Sequence, residues 1–206
     1  MLASVAVLLA SILALLSLVP QILRIHRTGQ VAGLTMAWPV IAMVSNTGWT
    51  VYVLRQELYA AVWSTAAMVI AYGVVAGQLL VRRVPWQRAA GLGAAWGAFL
   101  TLVFLIDLAA GWTLLGFVLA IAFVVQVSPA IWVAWRTAAP SGISPGTWTI
   151  IGVEVSLWGV YGAAHGDAAV ISFGVVGVLA CGSMLLRWWL TRDAIAAALR
   201  RVPQPV

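Results

Sequence analysis

The chain has 206 residues, of which 64% are apolar and 8% charged, against about 45–50% and 25% in soluble domains. A soluble domain of this size would have to expose much of that apolar surface to water, so soluble and disordered classes are excluded. The net charge of +6 comes from arginines alone, and these lie between the apolar segments. There they act as topology signals rather than as a nucleic-acid-binding surface. A polytopic integral membrane protein remains.

Apolar segments separated by short polar breaks predict seven membrane-spanning helices, because one span needs roughly 20 apolar residues. The first segment lacks a basic leader and a cleavage site, so we expect it to be retained as a helix. In chain order the predicted spans cover residues 2–23, 34–54, 58–81, 89–106, 112–135, 147–164 and 168–190.

The arginines are distributed unequally between the two sides of the predicted membrane. Ten of them fall in alternate connections and the tail, whereas Arg55 alone lies on the opposite side. Cytoplasmic loops are enriched in basic residues, which makes the arginine-rich side cytoplasmic. We therefore expect a multi-pass protein of the plasma membrane, with the N-terminus outside and the C-terminus in the cytoplasm.

The sequence repeats itself at a shift of 109 residues without a gap. Residues 20–52 and 129–161 give 33 aligned pairs, of which ten are identical, where chance in this composition would give roughly three. The identical pairs include Pro20 with Pro129, Arg27 with Arg136, Gly33 with Gly142, Trp49 with Trp158 and Tyr52 with Tyr161.

This repeat predicts the architecture. Three spans reverse the direction of the chain, so one additional span between the repeats restores it and makes the repeats parallel. We predict an all-α integral membrane protein whose seven transmembrane helices form two parallel three-helix bundles joined by a linker helix. The first repeat covers residues 1–83, the linker 84–110, and the second repeat with a short cytoplasmic tail 111–206.

Short motifs in both repeats resemble a known family. The segment Leu18–Arg24, Leu-Val-Pro-Gln-Ile-Leu-Arg, followed by Arg27-Thr28-Gly29, resembles a PQ-loop. Residues 49–52 and 158–161 both read Trp-x-Val-Tyr, similar to the motif that closes the second helix of each repeat in that family. With the three-plus-one-plus-three layout, the chain resembles the SWEET and PQ-loop superfamily. The resemblance implies alternating-access transport of a small solute, often a sugar.

The chain departs from the family pattern at several positions. The second repeat has Pro129 followed by Ala130, where the first repeat has Pro-Gln. SWEET sugar carriers usually have an Asn on the third helix of each repeat, and Thr65 and Gly174 occupy those positions here. The solute class therefore stays open between a sugar and another small polar or cationic metabolite.

Glu154 is the leading candidate for function, because it is the only carboxylate predicted deep within a span. A charge at that depth costs at least about 2.5 kcal/mol on the insertion scale. It precedes Trp158 by four residues, as Ser45 precedes Trp49, so each pair shares a helix face. We expect these four residues to face each other across the pseudo-twofold axis and to contact the solute, as the resemblance implies.

Each of these roles has an alternative. Glu154 would either exchange a proton with the solvent or pair with a cationic group of the solute, and otherwise it is a protonated residue packed against a polar neighbour. Trp49 and Trp158 could instead be interfacial aromatic residues. Asn46, Thr65 and Gln126 are further predicted solute contacts, although Asn46 could instead bond a neighbouring helix.

Three prolines are predicted hinges. Pro20 and Pro129 each remove a backbone hydrogen bond and weaken the helix at that level, which suits the rocking of two bundles. Pro39, near the start of the second helix, is the third candidate. A static kink is the alternative at these positions.

Catalysis is not expected, because the predicted spans lack the converging metal ligands and the nucleophile beside a base that enzymes use. We predict no cofactor and no bound metal. The expected partners are a small-molecule solute and the lipid bilayer, without nucleic acid, and the chain could form a homo-oligomer. The alternative function is a non-transporting accessory or receptor-like membrane subunit with the same fold.

Overall fold

The computed structural model describes residues 2–55, 59–110, 114–166 and 168–200. Over these ranges the chain folds into helices joined by short connections, without any strand. The helices are α1 (Leu2–Ser17), α2 (Val19–Thr28), α3 (Ala37–Arg55), α4 (Tyr59–Val81), α5 (Gln87–Ala110), α6 (Leu114–Arg136), α7 (Pro145–His165), α8 (Ala168–Leu190) and α9 (Arg192–Arg200).

The predicted first span, residues 2–23, is instead two helices and extends to Thr28. Pro20 lies in the first turn of α2, where it cannot donate the hydrogen bond that would continue α1. The chain turns at Leu18 between the two helices. Helix α2 ends at Gly29, which adopts a left-handed conformation with φ 64° and donates its N–H to the carbonyl of Ile25. Glycine tolerates this conformation without a steric penalty.

Five helical segments in the described part of the chain are long and apolar enough to cross a membrane. They lie within α1–α2, α4, α5, α6 and α8. Helices α3 and α7 fall outside this set, because polar residues such as Asn46 and Glu154 lower their hydropathy. These two helices are also the ones that carry most of the predicted solute contacts.

The packing of helices is the same in the two repeats. In each repeat the third helix contacts both the first and the second, so α4 packs on α1 and α3 while α8 packs on α6 and α7. The repeats meet through α1 with α7 and through α3 with α6. A shift of 109 residues places α1 on α6 and α3 on α7, so these two contacts between the repeats are equivalent. The same shift places the bounds of α4 on those of α8.

Helix α5 lies along α3 from one end to the other. The backbone at Gly93 approaches Val40 so closely that a Cβ at Gly93 would lie 2.5 Å from a Val40 methyl carbon. At the far end Arg55 forms an ion pair with the buried carboxylate of Asp107. The other oxygen of that carboxylate accepts a hydrogen bond from the backbone N–H of Leu114 at 3.0 Å. Helix α5 is therefore fixed to the second helix of the first repeat.

Candidate functional site between the repeats

Glu154 lies half-buried in the middle of α7. The indole N–H of Trp158, one turn further along the helix, hydrogen-bonds to its carboxyl group. Tyr72 of α4 and Cys181 of α8 lie within electrostatic range of the same carboxyl group. The ion pairs within the described ranges are Arg55 with Asp107 and Arg192 with Asp193, so no described arginine neutralises Glu154.

A second polar contact joins the two repeats close to Glu154. The side-chain amide of Gln126, on α6, donates a hydrogen bond to the hydroxyl of Tyr72, on α4, at 3.1 Å. Both side chains are buried. We call Tyr72, Gln126 and Glu154 the central polar group. It is built from both repeats, and two of its three members had been singled out from the sequence.

Sequence reasoning missed two tryptophans beside this group. Trp38 and Trp148 lie in the first turns of α3 and α7, and their rings stack with centroids 5.6 Å apart and an interplanar angle of 27°. Tyr72 packs edge-on against Trp38. A shift of 110 residues would have revealed the pair, because Trp38 and Trp148 each begin the pattern Trp-x-x-Ile, but the repeat aligns at 109.

The arginine-rich ends of the two repeats are joined by hydrogen bonds from Gln21. Its side-chain N–H donates to the carbonyl of Gly142 at 2.8 Å, and its side-chain oxygen accepts from the backbone N–H of Ser144 at 3.0 Å. Gln21 is completely buried. Gly142 and Ser144 belong to the connection before α7, so the glutamine of the Pro-Gln motif binds backbone groups of the opposite repeat.

Further contacts reinforce this junction. Arg24 donates to the carbonyl of Ser141 at 2.8 Å, and the hydroxyl of Ser141 donates to the side-chain oxygen of Gln30 at 2.8 Å. The backbone N–H of Gly142 donates to the carbonyl of Ala32 at 2.9 Å. We call these contacts, together with those of Gln21, the latch. The latch closes the arginine-rich end of the interface between the repeats.

The latch has no counterpart on the other side of the pseudo-twofold axis. The residue equivalent to Gln21 is Ala130, which has no polar side-chain atom. The first repeat therefore supplies the glutamine side chain, and the second repeat supplies the backbone groups that it binds.

The expected arrangement of Ser45 opposite the second repeat is wrong. Its hydroxyl accepts a hydrogen bond from the indole N–H of Trp96 on α5 at 2.9 Å, so Ser45 faces the linker helix. Trp49 packs into the apolar cluster formed by α3, α5 and α6. Trp158 instead bonds Glu154. The rings of Trp49 and Trp158 do share one local feature, since each packs edge-on against the tyrosine three residues later.

Of the remaining predicted contacts, Asn46 lies on α3 and Thr65 on α4. The amide of Asn46 donates to the carbonyl of Ala42 in its own helix at 2.9 Å. The hydroxyl of Thr65 lies 3.0 Å from that of Thr50, joining α4 to α3. At the equivalent position Gly174 packs so closely on α7 that a Cβ would lie 2.6 Å from the Cα of Gly159. Because α7 and α8 pack so closely at this point, there is no room for a polar side chain such as the Asn that SWEET sugar carriers usually have there.

The three prolines occupy different environments. Pro20 follows the break between α1 and α2, whereas Pro129 lies inside the continuous helix α6. Pro39 lies in the first turn of α3, where a proline removes no intrahelical hydrogen bond.

Two surface clefts lie at the arginine-rich end, away from the central polar group. One, of about 270 Å³, is lined by residues of α2 and α4, among them His26, and by Arg82 in the turn after α4. The other, of about 470 Å³, lies along α6 beside Trp132 and Arg136. Neither cleft is lined by Tyr72, Gln126 or Glu154.

Residues 2–60 match the family model described as PQ loop repeat. The matched segment covers α1, α2 and α3, and it contains the Pro-Gln motif whose glutamine forms the latch. No curated protein gives a significant match to the chain. The apolar helices indicate a multi-pass membrane protein, and its first repeat is similar to the PQ-loop repeat. The match in the first repeat is consistent with the PQ-loop and SWEET-like superfamily.

Proposed function

We propose that the protein transports a small solute across the membrane by alternating access between its two repeats. In this proposal the repeats and the linker helix form seven spans in a three-plus-one-plus-three arrangement. The observation that carries this proposal is the latch. Gln21 closes one end of the interface through two hydrogen bonds to the opposite repeat. Such bonds can be exchanged for bonds to water when that end opens, at a net cost of about 1 kcal/mol each.

The central polar group is the proposed solute site. It lies between the repeats, next to the closed end, where transporters built from parallel repeats bind their substrates. Glu154 has no basic partner in the described part of the chain, so its carboxyl group is available to the solute or to a proton. PQ-loop proteins are membrane transporters or receptors rather than enzymes, which is in keeping with such a site.

Uptake into liposomes tests the proposal. Purified protein would be reconstituted and challenged with radiolabelled glucose, glycerol and arginine, with and without a pH gradient. We expect saturable uptake of at least one of these solutes. Empty liposomes and liposomes containing heat-denatured protein provide the background.

Glu154→Gln tests the role of the carboxyl group, since the amide keeps the size of the side chain and removes its charge and its acidic proton. We expect the initial uptake rate to fall at least tenfold. If Glu154 carries a proton, accumulation driven by the pH gradient would disappear while solute exchange persists; if it binds a cationic solute, affinity itself would be lost. Asp193→Asn is the matched control, because Asp193 is exposed in α9.

The outcome also separates the transporter from the alternative function. A folded protein that moves none of the three solutes would contradict the proposal and favour an accessory or receptor-like subunit. Unchanged uptake and unchanged pH dependence in Glu154→Gln would leave transport in place and remove Glu154 from the mechanism.

A further inference from the structure

The stacked pair Trp38 and Trp148 closes the interface between the latch and the central polar group. Each ring is 1% exposed, and each belongs to a different repeat. Because the two rings stack on each other, the repeats cannot separate at this end without parting them. The pair therefore marks the boundary between the proposed site and the closed end.

Polar atoms of this boundary lack partners. The indole N–H groups of Trp38 and Trp148 and the hydroxyl of Thr147 are buried and form no hydrogen bond within the described ranges. Buried polar groups in folded proteins are nearly always bonded. An indole N–H is a donor only, so each of the two indole groups requires an acceptor atom.

Other tryptophans of this protein show that its indoles can be satisfied. Trp96 donates to the hydroxyl of Ser45 and Trp135 to the hydroxyl of Ser183, each at 2.9 Å. The unpaired donors thus concentrate at the junction of the repeats, where the central polar group begins. Tyr72 connects the two, since its ring contacts Trp38 and its hydroxyl bonds Gln126.

We propose that Trp38 and Trp148 form the floor of the solute site and donate their indole N–H groups to oxygen acceptors of a neutral solute. This inference rests on the proposed transport function and deepens it. The donors are uncharged and the nearby Glu154 has no described basic partner, so an anionic solute would lack a counter-charge there. When the latch opens, the rings part and their N–H groups bind the solute on its way through.

Nuclear magnetic resonance of the indole groups tests the inference without measuring transport. The protein would be labelled with ¹⁵N-tryptophan in nanodiscs, and Trp38→Phe and Trp148→Phe would identify the two signals. Before solute is added, both signals should lie upfield of those of Trp96 and Trp135, as expected for unbonded donors. Signals that coincide with those of the bonded indoles would overturn the inference, because the donors would already have partners.

The neutral probes glucose, glycerol and urea would then be titrated, with arginine and glutamate as charged probes. We expect at least one neutral probe to move both signals downfield saturably while leaving Trp96 and Trp135 unchanged. No movement with any neutral probe, or movement with a charged probe alone, would contradict the inference.

Phenylalanine substitutions provide the functional arm, because they keep an aromatic ring and remove the donor. Trp38→Phe and Trp148→Phe should each raise the half-saturating concentration for uptake by roughly three- to tenfold, as for one lost hydrogen bond. Trp135→Phe is the matched control. Normal affinity in both variants refutes this inference alone, whereas wild-type protein that takes up none of the probes refutes the proposed function.

Discussion

At the equivalent positions Gln21 and Ala130, the two repeats differ in what they contribute to their interface. The first repeat supplies the glutamine side chain that closes the arginine-rich end, and the second supplies the backbone groups that this glutamine binds. Nearer the middle the difference is reversed, because Glu154 of the second repeat is equivalent to Ser45, which is bonded to the linker helix. The glutamine of the latch and the carboxyl group of the central polar group thus belong to different repeats.

Equal packing of the helices does not give the two repeats equal roles. The same helix contacts recur in both repeats, yet the side chains at equivalent positions have separate partners. Helix α5 is a physical cause of this difference between the repeats, because it packs along α3 and no described helix packs on α7 in the same way. Ser45 of α3 bonds Trp96 of α5, whereas its counterpart Glu154 bonds Trp158 of its own helix.

The largest effect is expected where the first repeat is joined to the linker. Arg55→Ala leaves the carboxylate of Asp107 without its charge partner at a site where that carboxylate is 1% exposed, and breaking such a pair costs about 3 kcal/mol or more. The free energy of unfolding in detergent measures this loss. Asp193→Ala is the control, since its pair with Arg192 is exposed and should contribute less than about 1 kcal/mol. Equal losses in the two variants would contradict the assignment.

The second effect concerns the tight packing that is specific to the second repeat. Gly174→Val places a Cβ 2.6 Å from the Cα of Gly159, and overpacking of this kind costs about 1–3 kcal/mol. The midpoint of thermal unfolding should fall accordingly. Gly182→Val lies on the same helix, where a Cβ meets no atom within 4 Å, and should leave the midpoint nearly unchanged. A similar fall in both variants would mean that helix propensity, rather than close packing, sets the effect.

A smaller effect, confined to conformation, is expected from removing the latch. Gln21→Ala gives the first repeat the residue that the second already has, and it should make the arginine-rich end open more often. Water-soluble maleimide should then label a cysteine at the buried position Ile143 roughly tenfold faster, with Cys181→Ser as background. Gln78→Ala is the matched control, because Gln78 bonds the carbonyl of Ile22 within its own repeat. Equal labelling rates would show that Gln21 does not hold this end closed.

The sequence predicts the helices well and the partners of individual side chains poorly. The predicted span 168–190 coincides with α8, because hydropathy and short polar breaks depend on local composition. Glu154 and Gln126 could be found from their polarity within apolar segments. The partner of Ser45 could not, since Trp96 belongs to a helix that has no equivalent in the repeat. Trp38 and Trp148 were missed because their spacing differs by one residue from that of the alignment.

The central claim, that the two repeats move against each other, is tested most directly by two distances measured together. Spin labels would be placed at the exposed equivalent positions Arg27 and Arg136 at one end, and Leu54 and Ala163 at the other, in a Cys181→Ser background. Double electron–electron resonance would compare the protein with and without Gln21→Ala. We expect Gln21→Ala to lengthen the first distance and to shorten the second. Distances that both lengthen, or that both stay unchanged, would contradict alternating access.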